Sequence, residues 1–478
     1  MNMKTESRNT ISRRTFLGAT ASTAFAFSIL PGKVLGQDAP SNKLNIGMIG
    51  VGGRGAPNLA GVAGENIVAI CDVDLQRAGN NIRKYPKAKV YRDFRVMLEK
   101  QKDLDAVVVS IPDHAHYVAA MAAMQMGKHV YCEKPLAHSV FEVRQLVEAA
   151  RKYKVATQMG VQGHSSEDIR RCCEWTWDGA IGEVREVHAW SNRPMGGYAF
   201  PSGVPRPKDT PPVPDTLDWD LWLGPAKFRP YHPIYAPIYW RGWLDFGTGA
   251  LGDMGCHILD PAFWALKLGS PTSVEAHTSY NPNPEFWMSC LKEGASAKVG
   301  IPDYLEELRQ ESYPVASIVR YEFPARGAMP PVKLTWYDGG MLPPRPPGMT
   351  KGLGGNGALI IGSKGTIHHG SHGAAGCKIV PDERMKEYLA QPAPQTIKRV
   401  EDEDHHKDWI AACKGGEPAG ANFDYGGPLA EIVLLGIIAM RDEGTRLKWD
   451  GDQMQFTNSK EANALIKPTY REGWSLQG

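Results

Sequence analysis

The chain has 478 residues, enough for roughly two to three domains and for a large core built without covalent help. Apolar residues make up 42% and charged residues 22%, which excludes a mainly disordered, collagen-like or coiled-coil chain. The 54 Lys and Arg against 52 Asp and Glu leave a net charge of +2 with no long single-sign block, so charge points to no nucleic-acid partner.

Ser12-Arg13-Arg14-Thr15-Phe16-Leu17 forms a twin-arginine pattern. An uncharged stretch from Phe16 to Leu30 follows, then Pro31. This is a charged n-region and an h-region too short to span a bilayer comfortably. Val34-Leu35-Gly36 offers a cleavage site, so residues 1–36 are expected to be a signal peptide; an uncleaved anchor is the alternative. Their five cations and one anion, once removed, take the net charge from +2 to −2. The expectation is export to the periplasm or beyond. Such a signal resembles those of proteins exported folded, often with cofactor aboard. No other apolar run reaches membrane-spanning length.

Eight cysteines are spread along the chain with no CxxC, unlike a stapled scaffold or a zinc ribbon. Free thiols are expected, with a vicinal Cys172-Cys173 disulfide left open.

From Leu44, strand-like runs alternate with helical stretches. The strands are Leu44–Ile49, Ile67–Cys71, Asp105–Ser110, His129–Cys132 and Ala156–Met159. The helices are Leu75–Lys84, Phe94–Lys100, His114–Met126 and Val140–Tyr153. This alternation predicts a doubly wound parallel sheet over residues 43–163. The first strand ends in Gly50-Val51-Gly52-Gly53-Arg54-Gly55, a G-x-G-x-x-G. Glycines there permit a tight turn and let the backbone approach a pyrophosphate at a helix N-terminus. Asp72, 22 residues after Gly50, ends the second strand and would accept from a ribose 2′-hydroxyl. It would repel a 2′-phosphate, so NAD is favoured; Arg54 keeps NADP open.

Ile111-Pro112-Asp113-His114-Ala115-His116 and Gly127-Lys128-His129-Val130-Tyr131-Cys132-Glu133-Lys134-Pro135-Leu136 come next. Together they resemble the Gfo/Idh/MocA family of oxidoreductases, with its P-x-x-x-H turn and GKHV-x-x-EKP block. The resemblance implies that Lys134 is catalytic and that Pro112, Glu133 and His116 lie near the cofactor. A lysine at the carboxyl end of a parallel strand sits in the ligand crevice. Gly249-Ala250-Leu251-Gly252-Asp253-Met254-Gly255-Cys256-His257 matches the family's D-x-x-x-H signature. On a helix over Asp253–Leu268, Asp253 and His257 lie one turn apart on one face, which Asp260 shares. His257 would exchange the alcohol proton and Asp253 would orient it or bind substrate. The alternative is a helix capped by Asp253 with a satisfied histidine beneath.

Residues 164–478 read as an α+β domain with an open, mostly antiparallel sheet. Strand-like runs fall at Val184–Trp190, Ser273–Thr278, Ser317–Phe323, Val332–Tyr337, Ala358–Ile361 and Leu447–Trp449. His406–Cys413 and Leu429–Arg441 are helical stretches expected to return to the body of the protein. The resemblance places one sheet face over the active site and uses the other for homo-oligomers. Loops over 195–245 and 280–312 are longer than in smaller members. Aromatic residues crowd Trp219 to Trp264, which fits either a carbohydrate pocket or a packed loop cluster. Related enzymes place a Trp-Arg pair near the cofactor, so Trp240-Arg241 are candidate site residues. His368-His369 and His372 look like a metal tract, yet their Gly and Ser neighbours favour a solvated loop, and no metal is expected.

The leading expectation is an NAD(P)-dependent oxidoreductase acting on a secondary alcohol of a sugar, polyol or glycoside, with its cofactor tightly held. Two alternatives stand: an NAD-dependent glycosidase working through transient ring oxidation and elimination, and a non-catalytic sugar- or cofactor-binding protein.

Overall fold

A computed structural model describes residues 42–195, 199–280 and 301–474. The expected signal peptide, Cys290 and most of the 280–312 loop lie outside the described residues. Leu44–Gly478 forms one compact unit.

Six strands make the first sheet: β1 (Asn45–Ile49), β2 (Asn66–Cys71), β3 (Lys89–Tyr91), β4 (Ala106–Val109), β5 (His129–Glu133) and β6 (Thr157–Gly160). They are parallel, in the order β3-β2-β1-β4-β5-β6. The central strands are apolar on both faces because helices cover both; Ala-Val-Val-Val of β4 is wholly buried. Three helices, Leu75–Lys84, Phe94–Lys100 and Val140–Tyr153, match their expected bounds. Each has a local start signal: Asp74 and Asp93 cap two of them, and Ser139 with Glu142 makes a capping box on the third.

Nine strands make the second sheet: β7 (Val184–Ser191), β8 (Ser273–Ser279), β9 (Ala316–Phe323), β10 (Val332–Tyr337), β11 (Asn356–Gly362), β12 (Thr366–His369), β13 (Lys378–Val380), β14 (Leu447–Asp450) and β15 (Gln455–Phe456). The order is β13-β12-β11-β7-β10-β9-β8-β14-β15, antiparallel except for the β7–β10 pair. Three of these strands, β12, β13 and β15, go beyond the expected set.

The core runs without a break from one sheet to the other. Val107 and Val109 of β4, Leu251 and Ile258 of the Gly249–Ala265 helix, and Val319 and Leu334 of the second sheet belong to one buried cluster. The Phe423–Arg441 helix packs into the same cluster. It is long and apolar enough to cross a membrane, but 83% of its apolar window is buried in the protein. Arg144 on the Val140–Tyr153 helix anchors it by an ion pair to Glu431. Cys172 and Cys173 are both free and buried, so the vicinal disulfide is not formed.

Candidate active site

Strand order reverses between β1 and β4, and a crevice opens outside their carboxyl ends. A cavity of about 590 Å³ fills it. All the candidate residues except Gly55 line this one cavity.

The glycine turn is built for close approach. Gly50 has φ +82°, and a Cβ there would fall 2.4 Å from the Ser110 carbonyl oxygen. A Cβ on Gly55 would fall 2.2 Å from the Gly50 oxygen, so the Gly55–Gly61 helix can start only with glycine. Asp72 Oδ2 accepts from the Val51 and Gly52 amides at 3.0 and 3.3 Å, and Oδ1 accepts from the Asp74 amide at 3.0 Å. The carboxylate therefore fastens the turn to the end of β2 while lining the cavity. Arg77 lies across the turn: Cβ atoms on Gly52 and Gly53 would meet its side chain at 2.8 and 2.9 Å. These cradling glycines fit a dinucleotide, with Asp72 and Arg77 beside them.

At the end of β5, Glu133 Oε1 accepts from Arg54 Nε at 3.1 Å, Asn58 Nδ2 at 2.8 Å and Gln162 Nε2 at 3.0 Å. Arg54 is thus paired with Glu133. His116 is a clip between two turns: its ring nitrogens face the carbonyls of Pro135 and Ile111 at 2.9 and 2.8 Å.

Lys134 extends from β5 to the Gly249–Ala265 helix, where Nζ lies 3.3 Å from Asp253 Oδ1 and also donates to the Asp253 carbonyl. Asp253 accepts in addition from Arg241 Nε and Arg193 Nε, each at 3.1 Å. Three cations outweigh burial and hold this carboxyl well below the usual range, so it stays ionised. His257, one turn on, is buried, and its Nδ1 has no partner among the described residues. Burial, with His372 and Lys134 nearby, pushes its pKa well below the ordinary value, so the imidazole is neutral.

The structure decides four open readings. The helix begins at Gly249 after Thr248, so Asp253 is not its cap. Asp260 shares the helix face but lies two turns (roughly 10 Å) down the axis. There it is fully buried against His164 Nδ1 at 3.1 Å and the Tyr425 hydroxyl, away from the cavity. The aromatic run is mainly a core of its own: Trp219 stacks on Trp222 at 4.7 Å, and Tyr235 meets Trp243 edge-on at 4.9 Å. Only its rim, including Trp222, Tyr231 and Trp240, reaches the cavity. Arg241 lies over the Trp240 ring at 4.2 Å. The histidine tract is split by its strand: His369 is buried, His368 stacks on Trp190, and His372 enters the cavity. Among the described residues no cluster of His, Cys, Asp and Glu could hold a metal ion.

Comparison with known proteins gives two family matches: "Oxidoreductase family, NAD-binding Rossmann fold" over residues 44–161, and "Oxidoreductase family, C-terminal alpha/beta domain" over 204–283. The inositol 2-dehydrogenase of Pseudomonas savastanoi pv. phaseolicola is 31% identical over 282 residues, 56% of this chain and 77% of its own length. The chain belongs to the Gfo/Idh/MocA family. The D-glucoside 3-dehydrogenase of Escherichia coli is 28% identical over 44% of this chain and 50% of its own length. The chain spans about half the length of several curated relatives, 54% for the inositol 2-dehydrogenase of Salmonella typhimurium. Among solved structures, the WlbA dehydrogenase from Bordetella pertussis, in complex with NADH and UDP-GlcNAcA, shares the fold at TM-score 0.56 and 16% identity. It covers 85% of this chain and 99% of its own.

Within this Gfo/Idh/MocA chain, Lys134, Arg241, Asp253 and His257 fall inside the matched segments. Arg193 and His372 fall outside both, yet they enter the same site. Neither was expected as a site residue. Arg193 follows β7 at the edge of a proline-rich loop, and its only sequence signal was its place at a strand end. His372 carried no signal beyond its tract.

Proposed function

We propose that this protein is an NAD-dependent oxidoreductase acting on a secondary alcohol of a sugar, polyol or glycoside. The observation that carries this reading is the meeting of Lys134, Asp253 and His257 in one cavity with the glycine turn. Gly50, Gly52, Gly53 and Asp72 would hold the dinucleotide, with Glu133 and Arg54 near its reactive end. NAD, when bound, supplies the acceptor for the carbinol hydride. The Lys134 ammonium donates to the alcohol oxygen and stabilises the charge that develops there. His257, neutral at pH 7, takes the hydroxyl proton. Asp253 stays anionic and fixes the direction of Lys134, Arg193 and Arg241. Trp222, Tyr231 and Trp240 offer apolar faces to a sugar ring.

The twin-arginine pattern supports export, and export favours a cofactor that stays bound through closed redox cycles. A homo-oligomer through the outer face of the second sheet belongs to the same reading. The test is to purify the full chain, identify any co-purified nucleotide by mass, and screen polyols and glycosides. A keto-product with bound nucleotide supports the dehydrogenase. Aglycone released without net NADH turns the reading to the glycosidase. Ligand binding without turnover of any of them turns it to a binding protein.

A further inference from the structure

The His372 ring stacks on the His257 ring with centroids 4.0 Å apart and planes 28° apart. His372 comes from the loop between β12 and β13, far along the chain from His257. That loop has three consecutive left-handed residues: His372 at φ +53°, Gly373 at +70° and Ala374 at +59°. Two of them carry a Cβ, which makes a left-handed conformation unfavourable for them. Such strain persists only where the surroundings impose it.

The surroundings here are a clamp. Gly373 lies so close to Gly163 that a Cβ on either would fall about 2 Å from the other's backbone (1.9 and 2.2 Å). Ser166 Oγ donates to the Gly373 carbonyl at 2.8 Å, and the Gly376 amide donates to Asp168 Oδ2 at 2.8 Å. The Gly370 amide closes the loop on the Ala375 carbonyl at 2.9 Å. The loop is thereby fastened to the Gln162–Ser165 turn and the Glu167–Trp177 helix, and the ring it carries is set over His257.

We propose that His372 is a positioning residue: its ring fixes the His257 imidazole in the cavity wall and shields it from water. The proposal rests on the reading above that His257 handles the proton. The charged and titratable groups that weigh most on His257 are His372, Lys134, Arg54 and His405, with Asp253 and Asp260 one turn away on its own helix; those that weigh most on His372 are Lys134, Arg54, Asp253 and Arg193. The cations and histidines among these outweigh the carboxylates, so protonating either ring is disfavoured. Removing the His372 ring lets water reach His257, and its titration then moves up towards the ordinary value.

The experiment compares full-length wild type, His372→Asn and His372→Phe. Asparagine tolerates the left-handed backbone and removes the ring; phenylalanine keeps a ring. Histidine NMR follows the His257 titration, assigned with His257→Gln. The titration is expected to rise by about one unit or more in His372→Asn and by less in His372→Phe. On a sugar alcohol that wild type turns over, kcat falls about tenfold in His372→Asn with KM nearly unchanged, and His372→Phe restores part of it. A folded His372→Asn with an unmoved His257 titration overturns the proposal. So does an equal shift in both variants, and if His372→Asn does not fold, a full-size shift in His372→Phe does the same. If wild type turns over no alcohol, the functional reading fails by itself, and the NMR titration still decides the role of His372.

Discussion

Lys134 and Asp253, 119 residues apart in the chain, form a largely buried ion pair in which the lysine also donates to the aspartate's own backbone carbonyl. One strand end of the first sheet is thereby tied to the second turn of the helix that carries His257. The lysine's place in the cavity is fixed by the element that carries His257.

Asp253 balances three cations, so Asp253→Asn removes the carboxylate that pairs with Lys134, Arg193 and Arg241 together. Breaking a buried pair from one side costs about 3–5 kcal/mol. Urea denaturation should show a loss of that order, together with loss of turnover. Unchanged stability would mean that the cations find other partners.

Lys134→Met keeps most of the side chain's length and apolar stem but not its charge. Turnover is expected to fall by about a hundredfold or more, while NADH binding, followed by fluorescence, changes little. A variant as active as wild type would remove Lys134 from the chemistry.

Gly50→Ala puts a methyl group 2.4 Å from the Ser110 carbonyl at a backbone φ of +82°. The turn must open, and NADH affinity should drop about tenfold or more, since about 1.4 kcal/mol is tenfold. Retained affinity in a fluorescence titration would show that the turn does not cradle the dinucleotide.

Asp72 both faces the cavity and holds the Val51 and Gly52 amides. On the proposed reading, in which the Asp72 carboxylate would accept from a free ribose and repel a phosphate, Asp72→Ser should weaken NAD more than NADP. Equal losses in paired titrations would assign Asp72 to the turn alone. Arg77→Gln, measured alongside, reports whether the guanidinium across the turn favours the phosphorylated cofactor.

Burial lowers the pKa of His114 and His369 to about 4 and of His405 to about 3. These rings are neutral in the fold but protonate near 6.5 in the unfolded chain, which then binds more protons. Their contribution to stability is complete above pH 6.5 and is lost as pH falls from there towards 4. The urea midpoint should therefore drop between pH 7 and pH 5; a flat profile would mean that these rings are hydrated in the fold.

The parallel sheet, its glycine turn, Asp72 and the Lys134 block were readable along the chain, because each depends on local order. A strand buried on both faces must be apolar throughout, a capped helix must start at its cap, and a tight turn must carry glycine. The three helices that matched their expected bounds all begin at an Asp or Ser cap. The short strands β3, β12 and β13 were not readable, since three or four residues are too few for a period. Aromatic density from Trp219 to Trp264 was visible, but not which rings would pack on one another and which would face the cavity. Tertiary structure alone sent Asp260 to His164, brought Arg193 to Asp253 and set His372 over His257. The reason is physical: sequence pattern records which face of an element is apolar, whereas the partner that reaches that face is chosen by close approaches between distant segments, such as the backbone contact of Gly163 with Gly373.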